Sequence, residues 1–211
     1  MRTVVITGAS SGIGRAAAVR LAASGDRVVL VGRHPGRLRD AVAEVEAAPD
    51  HELADFAVLD QVRRLGAWRR GRYDRIDVLA NNAGLLAPRP RRTADGHELT
   101  MQVNHLAGYL LTHLLLDRLA DDPPGRLITT ASLAEWWGRV RPDRVGRPRR
   151  RWYSRWLAYA EQAGQNPVHT AEAAPPLDGP RRGADLLPNP AWFAPGSPAS
   201  APAVWPANCC R

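Results

Sequence analysis

Apolar residues recur along this chain in short blocks divided by glycine-rich and polar turns. Thr3 to Thr7 is a β-branched apolar run and reads as a buried strand. It ends in Gly8-Ala9-Ser10-Ser11-Gly12-Ile13-Gly14, after which Arg15 to Ala23 reads as an alanine-rich helix stopped by Ser24-Gly25. Arg27 to Val31 predicts a second strand, and Arg37 to Ala47 a second helix closed by Pro49. Glu52 to Ala54 is a short third strand, followed by a helix over Phe56 to Trp68. Ile76 to Ala80 predicts a fourth strand leading into Asn81-Asn82-Ala83-Gly84. His97 to Leu119 carries apolar residues at helical spacing, and Arg126 to Ala131 predicts a fifth strand. Strand and helix alternate throughout, so the expected architecture is a parallel sheet with helices on both faces.

The pattern weakens after Ser132. Arg139 to Arg151 is dense in arginine, and the spacing predicts a helix over Trp152 to Gln162. From Gly164 onward ten prolines mix with Ala, Gly and Trp, and no period of strand or helix persists. The expected division is a domain over 1–163, incomplete on its C-terminal side, and a disordered Pro/Ala-rich tail over 164–211. No further βα unit is visible in that tail.

Length allows one domain with a sizeable core. No apolar run is long enough for a membrane span, and the first strand begins at once, so the expected location is the cytoplasm. The cysteines, Cys209 and Cys210, suggest neither a disulfide framework nor a metal site. Net charge is +8, and all 29 basic residues are arginine. Most are scattered, as GC-rich coding alone produces. Eight fall between Arg139 and Arg155, near Trp136, Trp137, Trp152 and Trp156, a superficially suitable surface for nucleic acid. No nucleic-acid fold signature accompanies them, so no such partner is expected.

The glycine turn sits where a strand hands over to a helix. There Gly8 permits a tight turn, Gly12 lets backbone approach a pyrophosphate, and Gly14 lets the helix pack closely. The helix N-terminus offers free N–H groups to phosphate. The second strand ends in Gly32-Arg33, where an acid would select NAD; an arginine pairs a 2′-phosphate and favours NADP(H). Arg15 could assist.

Thr7 to Gly14, Asn81-Asn82-Ala83-Gly84 and Val103-Asn104-His105-Leu106 together resemble the short-chain dehydrogenases/reductases. Thr93-Ala94-Asp95-Gly96-His97-Glu98 through Leu119 is most similar to the retinol-dehydrogenase and WW-domain-oxidoreductase branch. The resemblance implies a Rossmann-type doubly wound sheet and hydride transfer between NADP(H) and an alcohol, aldehyde or ketone, in a homo-oligomer. It places Gly8, Ser10, Ser11, Gly12, Ile13, Gly14, Arg33, Asn82, Ala83 and Gly84 at the cofactor. Glu52-Leu53 stands where the family has Asp-Leu against adenine. Asn104 matches the asparagine that holds a relay water, Ser132 the serine that polarises the carbonyl, and Tyr159 the proton-donating tyrosine.

A phenol ordinarily titrates near about 10 and needs a neighbouring cation to act at neutral pH. The family supplies a lysine four residues on; here that position holds Ala163, and the chain has no lysine. Arg155, one turn earlier, carries charge but cannot share a proton. Impaired catalysis is therefore expected, and a non-catalytic NADP(H)-binding module is the alternative. The codons that Ala160 through Thr170 permit, read one nucleotide later, can spell x-Ser-Lys-Leu-Ala-(Lys/Arg)-Thr-Leu-Phe-Thr, which is how the family continues. Gly179 to Leu186 read the same way can give a valine-rich run. A shift of reading frame near Tyr159 is expected. Sequencing the gene from the Arg150 codon to well past the stop should restore Tyr-x-x-Ser-Lys in the corrected frame. A frame that stands intact against genomic DNA refutes the shift.

Overall fold

A computed structural model describes residues 1–45, 48–119, 125–132, 156, 159–160 and 184–188. The strands are β1 (Thr3–Thr7), β2 (Arg27–Gly32), β3 (Asp50–Leu53), β4 (Val78–Asn81), β5 (Arg126–Ala131) and β6 (Ala184–Pro188). They form one sheet in the order β3-β2-β1-β4-β5-β6, and every pairing is parallel. The helices are α1 (Gly12–Ala23), α2 (Pro35–Glu44), α3 (Leu59–Arg72), α4 (Leu99–Met101) and α5 (Ala107–Leu119). A π-helical segment, Gln102–Leu106, joins the last two. This is the expected Rossmann-type doubly wound arrangement.

Alternation along the central strands divides the core between the two faces. Val5, Val29, Val31 and Leu79 pack with Val62 and Leu65 of α3 and with Leu111 and Leu115 of α5. Val4, Ile6, Val28, Leu30 and Val78 pack with Ala18 of α1 and with Leu38 and Ala41 of α2. Register follows from this burial: Val5 sits beside Val29 and Leu79, so residues that share a face are neighbours.

Several boundaries depart from the pattern reading. The third helix was expected from Phe56 but begins at Leu59. The intervening residues form a turn, in which Asp55 Oδ1 accepts from the Ala57 N–H at 2.9 Å. The N-terminus of α3 is capped from afar, by Asp95 Oδ2 accepting from the Leu59 N–H at 3.0 Å. The fourth strand starts at Val78 because Ile76 donates instead to Arg118 O, at 2.9 Å. The long fourth helical stretch, expected over His97 to Leu119, is interrupted by its π segment, which no hydrophobic period announces.

The largest correction is β6. No strand was expected after residue 164, yet Leu127↔Ala184 through Ala131↔Pro188 pair in parallel. The backbone row of β5, open on that side, takes a partner. The rest of the expected disordered tail lies outside the described residues. Among the described residues, no helix is long and apolar enough to cross a membrane.

One charge is buried within α3. Arg69 is fully buried, and its three guanidinium nitrogens find no acceptor among the described residues. The guanidinium lies 3.6 Å from the centre of the Trp68 ring. Burial pushes its pKa down to about 10. Cation–π attraction offsets part of the desolvation, on the order of 1–2 kcal/mol. Because no ion pair is broken, Arg69→Met should be neutral or raise stability by about 1–2 kcal/mol. Urea denaturation checks this; a loss of more than about 1 kcal/mol would show that the ring contact outweighs the burial.

Candidate active site

The strand order reverses between β1 and β4, and the crevice at such a switch point is where ligands bind in open parallel sheets. Here the C-terminal ends of the strands surround a cavity of about 480 Å³. The turn after β1 supplies Gly8, Ser10, Ser11 and Ile13. The turn is tied to the second strand by Ala9 N–H donating to Val31 O at 3.0 Å.

Glycine is required at three points of this turn, the first being Gly8, which holds φ +70° and where a Cβ would stand 2.9 Å from Ala83 Cα. A Cβ on Gly14 would stand 2.6 Å from both Gly8 O and Asn82 Nδ2, so only glycine lets α1 start this close to the turn. Gly12 holds φ +55°, and a Cβ there would meet nothing within 4 Å. The space beside Gly12, at the start of a twelve-residue helix, is open, and a helix N-terminus is a cradle that fits a pyrophosphate. Gly12 and Gly14 shape the turn without themselves lining the cavity.

Beyond β2, Arg33 and Arg37 both line the cavity with exposed side chains. Arg37 is a charged lining residue to which the sequence reading gave no role. It sits at the first turn of α2, which starts at Pro35 and thus two residues before the expected boundary. Arg15 does not line the cavity. Its Nε donates to Glu44 Oε2 at 2.7 Å, and this ion pair raises the arginine pKa and lowers that of the glutamate. Glu52 and Leu53 lie on β3 outside the lining, while Ala54, Asp55 and Phe56 just after them contribute to it.

A polar knot fixes the middle of the site. The Thr7 hydroxyl donates to Ala80 O at 3.1 Å and accepts from the N–H groups of Asn82 (2.9 Å) and Ala83 (3.0 Å). Asn82 Nδ2 donates to Thr7 O at 3.0 Å, and Thr130 Oγ1 donates to Asn82 Oδ1 at 3.3 Å. One carboxamide thus ties together the ends of β1, β4 and β5. Asn82, Ala83 and Gly84 all line the cavity. Thr7 entered the sequence reading only as the first residue of the glycine motif, and Thr130 only within the fifth strand.

Asn104 lies in the π segment and lines the cavity. Its Nδ2 donates to Leu85 O at 2.9 Å, and its Oδ1 accepts from the Leu85 N–H at 2.8 Å. The carboxamide therefore clamps the loop after β4. Two residues earlier, buried Gln102 donates to Phe56 O (3.3 Å) and to Asp95 Oδ2 (2.8 Å), and it accepts from Thr93 Oγ1 (2.6 Å). Ser132, directly after β5, and Tyr159 are both half-buried and both line the cavity. Arg155 and Ala163 lie outside the described residues. Among the described residues no cluster of three His, Cys, Asp or Glu side chains could hold a metal ion.

Comparison with known proteins agrees with this geometry. The profile of the short chain dehydrogenase family matches residues 2–140. A Streptomyces sp. (strain C5) protein, provisionally assigned as a daunorubicin C-13 ketoreductase, is 52% identical over 190 residues, covering 88% of this chain and 63% of its own length. Retinol dehydrogenase 11 of Homo sapiens is 33% identical over 183 residues, covering 84% of this chain and 57% of its own. A crystal structure of a protein provisionally assigned as a short chain dehydrogenase, from Shigella flexneri 2a str. 301 and complexed with NADP, aligns with a TM-score of 0.62 at 29% identity, over 81% of this chain and 71% of that one. The chain spans about three-fifths of the length of these two curated relatives: 63% and 57%. With its profile match, its doubly wound sheet and its glycine turn, the chain belongs to the short-chain dehydrogenase/reductase family, among relatives that include the retinol dehydrogenases.

Proposed function

We propose that this cavity binds NADP(H) and serves reduction of an uncharged aldehyde or ketone, or oxidation of the matching alcohol, with weak turnover in this chain. One observation carries the reading: a single cavity unites the phosphate-type turn, two arginines after β2, and Asn104, Ser132 and Tyr159. Bound nicotinamide cofactor supplies the hydride. The chain's residues do the rest. The turn from Gly8 to Ile13 and the N-terminus of α1 receive the pyrophosphate, while Asn82, Ala83 and Gly84 flank the ribose. Arg33 and Arg37 pair the 2′-phosphate, which an acid in the place of Arg33 would repel. The Ser132 hydroxyl donates to the carbonyl oxygen and fixes its position. The Tyr159 hydroxyl delivers the proton to that oxygen as the carbon is reduced. Asn104 steadies the Leu85 loop beside this pair and stands where the family holds its relay water.

The lysine that would assist the tyrosine is absent, since Ala163 occupies its place. That absence favours the second reading, a module whose role is cofactor occupancy alone. NADP-complexed relatives support the choice of cofactor, and the ketoreductase and retinol dehydrogenase names of other relatives support a carbonyl/alcohol substrate.

Two measurements test this. In fluorescence titrations, Arg33→Ala should weaken NADPH by about tenfold or more, the equivalent of one charge-assisted hydrogen bond of roughly 1.5–3 kcal/mol, and leave NADH within about twofold. Equal losses for both cofactors would contradict the 2′-phosphate role. Incubated with NADPH and a ketone, the protein should oxidise NADPH slowly, and Tyr159→Phe should abolish that rate. Tight NADPH binding with no turnover would favour the binding module.

A further inference from the structure

The cavity wall beyond β3 is held in place from outside the cavity. Ala54, Asp55 and Phe56 form it. Gly32 pairs with Leu53, so this wall adjoins Arg33 at the end of β2. Within the turn, the peptide plane between Phe56 and Ala57 is fixed by both of its polar groups. Its N–H donates to Asp55 Oδ1 at 2.9 Å, and its carbonyl, Phe56 O, accepts from Gln102 Nε2 at 3.3 Å. The ends of the turn are fixed as well. Ala54 N–H donates to Gly32 O at 3.0 Å, and Leu59 N–H donates to Asp95 Oδ2 at 3.0 Å.

Gln102 is fully buried, and both ends of its carboxamide are used. Phe56 O and the Asp95 carboxylate can only accept, which turns the NH2 group toward both of them, with Asp95 Oδ2 at 2.8 Å. Bonds from the Leu59 N–H and from Gln102 hold the Asp95 carboxyl below the usual carboxylate range, so it stays an acceptor near neutral pH. Thr93 Oγ1 donates to the remaining oxygen, Oε1, at 2.6 Å. Gln102, Asp95 and Thr93 do not line the cavity. Gln102 therefore acts on a ligand through Phe56. Without its NH2 group the Phe56 carbonyl loses its donor, and a buried carbonyl in that state regains one by turning toward water. The peptide plane would then tilt, and Asp55 and Phe56 on the cavity wall would tilt with it.

We infer that Gln102 is a positioning residue for the adenosine half of NADP(H). It holds the wall after β3 at the spacing that admits the nucleotide beside Arg33 and Arg37. The inference rests on the NADP(H) reading of this cavity. The π segment that carries Gln102 also carries Asn104, which clamps the Leu85 loop. Two carboxamides of one segment thus brace the walls that follow β3 and β4.

The test uses the full chain, with calorimetry of NADPH and of adenosine 2′,5′-bisphosphate, which carries the adenosine half alone. Gln102→Met keeps the bulk and removes every bond of the carboxamide. It should weaken both ligands by the same factor, about tenfold, as expected for one lost hydrogen bond to a buried carbonyl. Thr93→Val is the control, since it loosens the same network and leaves the Phe56 bond in place. It should lower the melting temperature and keep both affinities within about twofold. Unchanged affinity in Gln102→Met, a loss confined to NADPH, or an equal loss in Thr93→Val overturns the inference. In each of these the unaltered protein still binds NADPH, and the cofactor reading stands. An unaltered protein that binds neither ligand overturns both. Should Gln102→Met not fold, Gln102→Glu combined with Asp95→Asn decides. The introduced amide can donate to the introduced carboxylate and still accept from the Leu59 N–H, while the Phe56 carbonyl has no donor. A loss of about tenfold for both ligands in that protein upholds the inference, and unchanged affinity overturns it.

Discussion

The hydroxyl of Thr7 holds the site open and in place. It bridges the two strands between which the sheet reverses direction, donating to Ala80 O while taking the N–H groups of Asn82 and Ala83. Asn82 N–H also reaches Ala80 O at 3.0 Å, so it is the Ala83 N–H beside the crevice that depends on this hydroxyl, and leaving it unpaired would cost roughly 1–3 kcal/mol. Asn82 extends the bond pattern to Thr130 on β5. Three strand ends are thereby fixed at one height, and the residues that leave them face the same cavity.

Around this centre the two ends of the cavity differ in chemistry. At the β2 and β3 end, guanidinium groups offer planar, permanently charged donors suited to phosphate. At the β4 and β5 end, the polar lining groups among the described residues are hydroxyls and carboxamides. An all-arginine chain serves the first end well. It serves the second poorly, because arginine stays charged and does not exchange a proton in the range where a phenol needs help. On the proposed reading, the substitution pattern that suits binding NADP(H) is the one that impairs turnover.

Much of this was legible in the sequence, and the parts that were not share a physical cause. β1, β2 and β5 were read to within a residue; for β1 and β2 the reason is that buried parallel strands are continuous apolar runs, whereas β5 is only partly buried. The turn from Gly8 to Gly14, Asn82 and Ser132 were found because each follows a predicted strand. Phe56 misled, since a buried aromatic in a turn scores like the first residue of a helix. The π segment around Asn104 inserts a residue into a helical turn without altering which residues are apolar. Arg37 escaped notice because its role depends on where α2 begins, which Pro35 sets. β6 was invisible because its Leu186-Leu187 pair sits among prolines, and strand pairing is a property of two segments, not of one.

The pairing of β6 with β5 bears on the order in which the molecule can form. Units β1–α1–β2 and β2–α2–β3 join neighbours in sequence, so the phosphate end of the cavity assembles from local contacts. Tyr159 and Trp156 lie within the long connection between β5 and β6, residues 132–183. Closing a loop of that length costs entropy before any contact repays it. If the cavity binds nucleotide as proposed, its phosphate end is therefore complete during synthesis before Trp156 and Tyr159 are anchored, and a nascent chain can meet nucleotide first.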